Sequence, residues 1–161
     1  MVQRPDGTIT SNSKEMDKLL CDAWLPIFRM YGSSPPPDWD KFKERFGQYL
    51  PEGPAMRAGP LTAQTLRRSL SKMQSSGSCG LDGWRIAEVK SLPDFFLDRL
   101  AVLLNTVEET GVWPQALAQG AVSLIGKGEG AEPLKLRPIS VMPVVYRLWA
   151  ATRVREVLDL L

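Results

Sequence analysis

Two side chains toward the C-terminal end of the chain, Lys127 and Arg137, have types and spacing that suit them to holding a polyphosphate. Arg137 lies in the stretch Leu136 to Trp149, which reads Leu-Arg-Pro-Ile-Ser-Val-Met-Pro-Val-Val-Tyr-Arg-Leu-Trp. Arginine presents a planar fork of donors that matches phosphate and stacks on a base. Pro138 stiffens the backbone beside it and removes one ladder donor, which places this segment on a sheet edge. Lys127 sits at the base of Gly126-Lys-Gly-Glu-Gly130, a flexible turn between the β-prone run Ala121–Ile125 and the return from Leu136. That pattern predicts a β-hairpin with a long glycine-rich tip. A lysine and an arginine on its two arms can close on a single polyphosphate. A solvated arginine on an edge strand is the competing reading, and the residues alone leave both open.

A second stretch with chemical potential is Ser75-Ser-Gly-Ser-Cys-Gly-Leu-Asp-Gly83. Clustered glycines let backbone approach a ligand closely. Their spacing fits neither the Walker nor the dinucleotide fingerprint, and no strand pattern precedes them, so a nucleotide P-loop is rejected. The chain has no histidine. That excludes a Ser-His-Asp or Cys-His pair and any histidine-containing zinc site. No catalytic residue and no metal site is assigned. The Asp38/Asp40 pair reads as helix-start chemistry, and Asp94 and Asp98 as surface charges on one helix face.

These residues need elements to position them. Pro143 should open a final helix, because its missing N–H and fixed φ suit a first turn. That helix is expected to turn Val145, Leu148, Val154, Val157 and Leu158 to one apolar side. Asp6-Gly7 marks a turn, and Asn12 with Glu15 resembles a capping box. Met16, Leu19, Leu20, Ala23, Trp24, Ile27 and Phe28 then recur at helical spacing as a core stripe, with a bend at Pro26. Tyr31–Pro37 is a connector. Asp38 caps a short helix carrying Trp39, Phe42 and Phe46. Pro51–Pro60 is a second linker. Thr62 caps a helix bearing Leu66, Leu70 and Met73, with Leu61 stapled to Leu66. The other face of that helix carries Arg67, Arg68 and Lys72, which either track a phosphate backbone or complement the helix dipole. A further helix starts at Ser91–Asp94, turns Phe96, Leu100, Leu103, Leu104 and Val107 inward and stops at Gly111.

An apolar share of 43% and a charged share of 24% in 161 residues describe an ordinary globular chain, long enough for a core and not disordered. The net charge of +2 is too small to argue for nucleic acid. Between Trp113 and Arg155, however, six basic residues face only Glu129 and Glu132, a modest anion-facing bias. Cys21 and Cys79 lie far apart without metal spacing, which points to reduced thiols and an intracellular protein, cytoplasmic or nuclear. The N-terminus lacks a secretory apolar core, and no run suits a bilayer span. The expected class is α+β, predominantly helical, with one short β-hairpin. The absence of a closing turn or cap at Leu161 leads to the expectation that the domain is truncated there.

Six motifs together carry a family likeness. Gly80-Leu-Asp-Gly83, Leu104-Asn105, Gly111-x-Trp-Pro114, the Val122–Lys127 strand, Arg137-Pro-Ile-Ser140 and Tyr146-Arg147 resemble reverse transcriptases in order and spacing. The resemblance is closest to non-long-terminal-repeat retrotransposons and their group II intron relatives, and it covers roughly Leu61–Leu161. It implies part of the fingers subdomain of a right-hand polymerase over 61–161, after a helical N-terminal extension over 1–60. It implies that Lys127 and Arg137 contact the incoming deoxynucleoside triphosphate. Leu81, Asp82 and Gly83 then lie where template RNA is touched, with Ser140 and Arg147 as further nucleic-acid-binding candidates. The chain departs from the family by lacking a proline in the Gly80 loop and before Lys127. It also has no match to the carboxylates that hold two Mg²⁺ in that chemistry. Mg²⁺ is therefore expected only in the complete polymerase, together with the palm and thumb.

The leading expectation is an N-terminal fragment of an RNA-directed DNA polymerase, inactive alone, whose partners are template RNA and a deoxynucleoside triphosphate, with no membrane. The alternatives are a stand-alone RNA-binding module, marked by a salt-dependent affinity, and an inactive remnant scaffold that binds neither ligand.

Overall fold

The computed structural model describes residues 1–50, 58–127 and 130–158. The linker at 51–57, the hairpin tip at 128–129 with Glu129, and the end at 159–161 lie outside the described residues. The chain is α+β and mostly helical, with two small antiparallel hairpins where the sequence pointed to one. It divides into two compact units, Met1–Pro54 with Leu124–Ile139, and Ala55–Ser123 with Ser140–Leu161. No helix among the described residues is long and apolar enough to cross a membrane.

The first unit begins with the additional hairpin, strands β1 (Val2–Gln3) and β2 (Ile9–Thr10), in which Val2 faces Thr10 and Gln3 faces Ile9. Its turn is built by Asp6, whose Oδ1 accepts from the Thr8 amide at 2.9 Å and the Thr8 hydroxyl at 2.7 Å. Each strand is only two residues long, too short for a period-2 pattern to show in sequence. Helix α1 (Ser13–Phe28) follows, and Asn12 Oδ1 accepts from the Glu15 amide at 3.1 Å as expected of a cap. The Glu15 carboxylate does not complete the box. It turns instead to Arg4 Nε at 2.6 Å and the Thr10 hydroxyl at 2.6 Å, tying the hairpin to the helix. The α1 stripe is not a sealed core: no residue of the helix is buried, and Phe28 is 57% exposed. Helix α2 (Trp39–Phe46) is capped by Asp38, which accepts from the amides of Asp40 and Lys41, both at 3.1 Å.

The second unit holds the core. Helix α3 (Ala63–Lys72) packs against α4 (Ile86–Ser91), α5 (Asp94–Thr110) and α7 (Val144–Leu158), and a short α6 (Gln115–Ala118) sits against α7. Leu61, Leu66, Leu70, Ile86, Val89, Leu97, Ala101, Leu104, Val144 and Leu148 form one buried cluster. Side chains of this size contribute about 1.5–3 kcal/mol each when fully buried. Thr62 caps α3, with Thr65 completing the reciprocal pair, and Gly111 ends α5 in the left-handed conformation at φ 70°.

Two inward faces differ from expectation. On α5 the core takes Leu97, Ala101, Leu104 and Val107, whereas Phe96 and Leu103 stay exposed. On α7 it takes Val144, Leu148 and Thr152, leaving Val154 and Leu158 exposed. Asp94 is also not an unpaired surface charge, since its Oδ1 accepts from Arg67 Nη2 at 2.6 Å. The same guanidinium donates to the carbonyls of Lys90 and Leu92. Arg67 therefore closes the C-terminal end of α4.

Strands β3 (Ala121–Gly126) and β4 (Leu136–Val141) form the hairpin read from the sequence. Its distal part, Leu124–Ile139, clusters with the N-terminal residues in the first unit. Leu134 and its neighbours make a 3-10 turn (Pro133–Lys135) just before β4.

Candidate nucleotide and nucleic-acid site

The hairpin's two cations meet in the first unit. Lys127 follows the last residue of β3 and Arg137 is the second residue of β4, and both are exposed. They line one shallow cleft of about 360 Å³ with Trp24, Leu134, Lys135, Leu136 and Pro138. No carboxylate is among these lining residues. Lys135 Nζ is held by Glu132 at 2.7 Å. Among the described residues, neither Lys127 nor Arg137 is ion-paired.

The return arm of the hairpin is braced by residues far away in sequence. The Gln3 amide donates to the Ala131 carbonyl at 2.8 Å, and the Trp24 indole Nε1 donates to the Pro133 carbonyl at 3.0 Å. Trp24 thus contributes its polar edge to holding the loop and its side chain to the cleft wall. Sequence reasoning placed Trp24 in a core stripe and gave Lys135 no part in the site. Nothing in their spacing reveals contacts spanning more than a hundred residues.

The nucleic-acid candidates Asp82 and Arg147 come together in the second unit. Asp82 Oδ2 accepts from the Val144 amide at 2.8 Å, satisfying one of the unpaired donors at the start of α7. Pro143 precedes it as the sequence anticipates. Arg147, one turn further, donates through Nη2 to the Ser78 carbonyl at 2.8 Å. A Cβ on Gly80 would come within 2.7 Å of the Met142 carbonyl oxygen and 2.9 Å of Pro143 Cα. Glycine is required there by this close backbone approach. The 78–83 loop is accordingly docked on the β4–α7 junction. Asp82 Oδ1 and Arg147 Nε are both buried without a protein partner, an expensive condition for polar atoms.

Of the remaining candidates, Leu81 and Gly83 are exposed on this loop, and Ser140 is exposed on β4. Asn105, part of the Leu104-Asn105 motif, clamps the entry to α3: its Oδ1 accepts from the Leu61 amide at 2.8 Å and its Nδ2 donates to the Leu61 carbonyl at 2.9 Å. Among the described residues, no three His, Cys, Asp or Glu side chains converge to hold a metal ion.

No protein-family model matches the chain, and comparison with curated proteins gives no match either.

Proposed function

We propose that the Lys127–Arg137 cleft binds the phosphates of a deoxynucleoside triphosphate, as part of the fingers of an RNA-directed DNA polymerase of the non-long-terminal-repeat type. The observation that carries this reading is a pair of cations on the two arms of one hairpin, lining a cleft in which, among the described residues, no carboxylate lies and neither cation is ion-paired. Arg137 offers a bidentate fork to one phosphate, and Lys127 offers a point charge to the next. Trp24 gives the cleft an aromatic wall and a fixed floor through its bond to Pro133. Template RNA passes the loop bearing Leu81, Asp82 and Gly83, with Ser140 and Arg147 beside it in sequence motif. Asp82 and Arg147 act there chiefly by holding that loop in place. The chain's own residues bind and orient; bond formation in this family belongs to Mg²⁺-holding carboxylates that no position here matches.

The test is a titration of the chain with a fluorescent deoxynucleoside triphosphate. Charge-assisted hydrogen bonds contribute about 1.5–3 kcal/mol each, so Arg137→Ala should weaken binding by roughly one to two decades. Lys127→Ala should weaken it by a comparable step, and the exposed Lys14→Ala should change nothing. Equal affinity in the wild type and both cleft variants removes the assignment.

A further inference from the structure

Outside that cleft, the second unit carries a different pocket of about 410 Å³, lined by Ser75, Ser76, Gly77, Ser78, Cys79 and Arg85. We propose that it binds a phosphate oxyanion, carried either by a polynucleotide backbone or by a free phosphate ester. The lining has no large apolar side chain and no carboxylate. The two acids nearest in sequence each make a backbone bond: Asp82 Oδ2 accepts from the Val144 amide, and the Glu88 carboxylate accepts from the Arg85 amide at 2.7 Å. The Arg85 guanidinium has no ion-pair partner among the described residues and is exposed at the pocket wall.

Two further cations fix the loop from outside the lining. Lys90 Nζ donates to the Met73 carbonyl at 2.6 Å and to Ser75 Oγ at 3.0 Å. Because Ser75 Oγ accepts there, its own O–H remains to donate into the pocket. Arg147 holds the other end through the Ser78 carbonyl. The result is a serine-lined concavity, held at both ends by cations, with one guanidinium at its wall. Hydroxyl donors and a planar fork together match a tetrahedral oxyanion. Assigning the phosphate to an RNA backbone rests on the polymerase reading above; the oxyanion site itself does not.

The experiment follows backbone amide resonances of the whole chain during titration with inorganic phosphate and, separately, with a short single-stranded oligouridylate. Wild type, Arg85→Ala and Arg85→Lys are compared. Arg85 is exposed and its amide keeps the Glu88 bond in either variant, so folding is retained. Both ligands should shift residues 75–79 in the wild type. Arg85→Ala should weaken RNA binding about tenfold and reduce the salt slope by ~0.7, with Arg85→Lys in between. If phosphate shifts these residues but Arg85→Ala leaves RNA affinity and slope unchanged, the oxyanion site stands and its source is a free phosphate ester. If neither ligand moves residues 75–79, or inorganic phosphate shifts them in Arg85→Ala as it does in the wild type, the proposal is overturned. Nucleotide binding at Lys127 and Arg137, read by fluorescence in Arg85→Ala, should be unchanged. Its loss in the wild type would count against the polymerase reading alone.

Discussion

The two units of this chain use the same kinds of residue to different ends. Among the described residues, the second unit gathers ten apolar side chains into one buried cluster, and several of its charged residues brace backbone. Arg67, Lys90, Arg147, Arg153 and Arg155 all donate to carbonyl oxygens. Among the described residues of the first unit only Val2 and Thr10 are buried, and helices α1 and α2 have no buried residue. Its aromatic side chains lean on each other at the surface, with Trp39 stacked on Phe42 at 5.5 Å and Phe42 beside Phe46 at 5.1 Å. Yet this thin unit carries two cations, Lys127 and Arg137, that line one cleft and have no ion-pair partner among the described residues. Five cations of the second unit are held by the fold, whereas among the described residues Lys127 and Arg137 of the first unit and Arg85 of the second have no ion-pair partner. The difference separates residues that stabilise from residues that can bind.

The largest test of that contrast lies in the core. Leu104 is fully buried in the core cluster, so Leu104→Ala should cost about 2–5 kcal/mol in urea unfolding. Phe28→Ala, at an exposed position of α1, should stay within about 0.5 kcal/mol. Comparable losses would mean that the first unit has a core of its own and the contrast fails. Next in size is Arg153, which donates through Nε to Glu108 at 2.6 Å, pairs with Glu156, and reaches the Gly59 carbonyl at 2.9 Å. Arg153→Ala should cost about 1–3 kcal/mol. The hydrogen bond from Arg153 holds the Glu108 carboxyl below its ordinary range. A carboxyl depressed on folding stabilises above its unfolded pKa and loses that contribution as the pH falls through the folded value. The wild type should therefore lose stability on acidification more steeply than Arg153→Ala, measured by the unfolding midpoint against pH.

Much of the second unit was legible because its signals are local. Thr62, Pro143 and Gly111 mark helix ends through the backbone chemistry of single residues, and Leu61, Leu66 and Leu70 declare their face by spacing. The hairpin bearing Lys127 and Arg137 could be read from glycines between two β-prone runs. What failed were choices between adjacent residues and contacts over distance. Phe96 is the more apolar-looking inward candidate on α5, but packing against α3 selects Leu97, one position away. The Arg67–Asp94 pair and the Asp82 cap on α7 join residues 27 and 62 positions apart, and no periodicity encodes them. Arg85 drew no attention for the same reason: only the fold brings it to one pocket with three serines ten or fewer positions before it.

The Asp82 cap gives a smaller effect that sharpens the comparison. Replacing a capping acceptor costs about 1 kcal/mol. Asp82→Ala should lose that much and speed amide exchange at the start of α7, while Asp82→Asn, which keeps an acceptor oxygen, should lose less. Asp82 is then bracing backbone, as the cations of its unit do. If Asp82→Ala left exchange at Val144 unchanged while abolishing RNA binding, it would belong with the ligand-facing residues instead.

The smallest expected effect is local and lies in the first unit. Glu15 accepts from Arg4 Nε at 2.6 Å, Arg4 Nη2 at 3.0 Å and the Thr10 hydroxyl at 2.6 Å. The Arg4 hydrogen bond is the main cause that lowers its carboxyl from 4.5 to about 2. The sign follows from that depression: the link between the N-terminal hairpin and α1 is fully present above pH 4.5 and is lost as the pH falls toward 2. Amide exchange at residues 2–10 should quicken over that interval in the wild type. Glu15→Gln should exchange quickly at every pH and show no acid transition, while global unfolding moves little because no core residue is involved. Since the Gln3 amide also holds Ala131, loosening this hairpin releases one brace on the arm that leads to Arg137. Nucleotide affinity should then fall modestly in Glu15→Gln and far less than in Arg137→Ala. A loss as large as that of Arg137→Ala would show that the brace, and not the cation, limits binding.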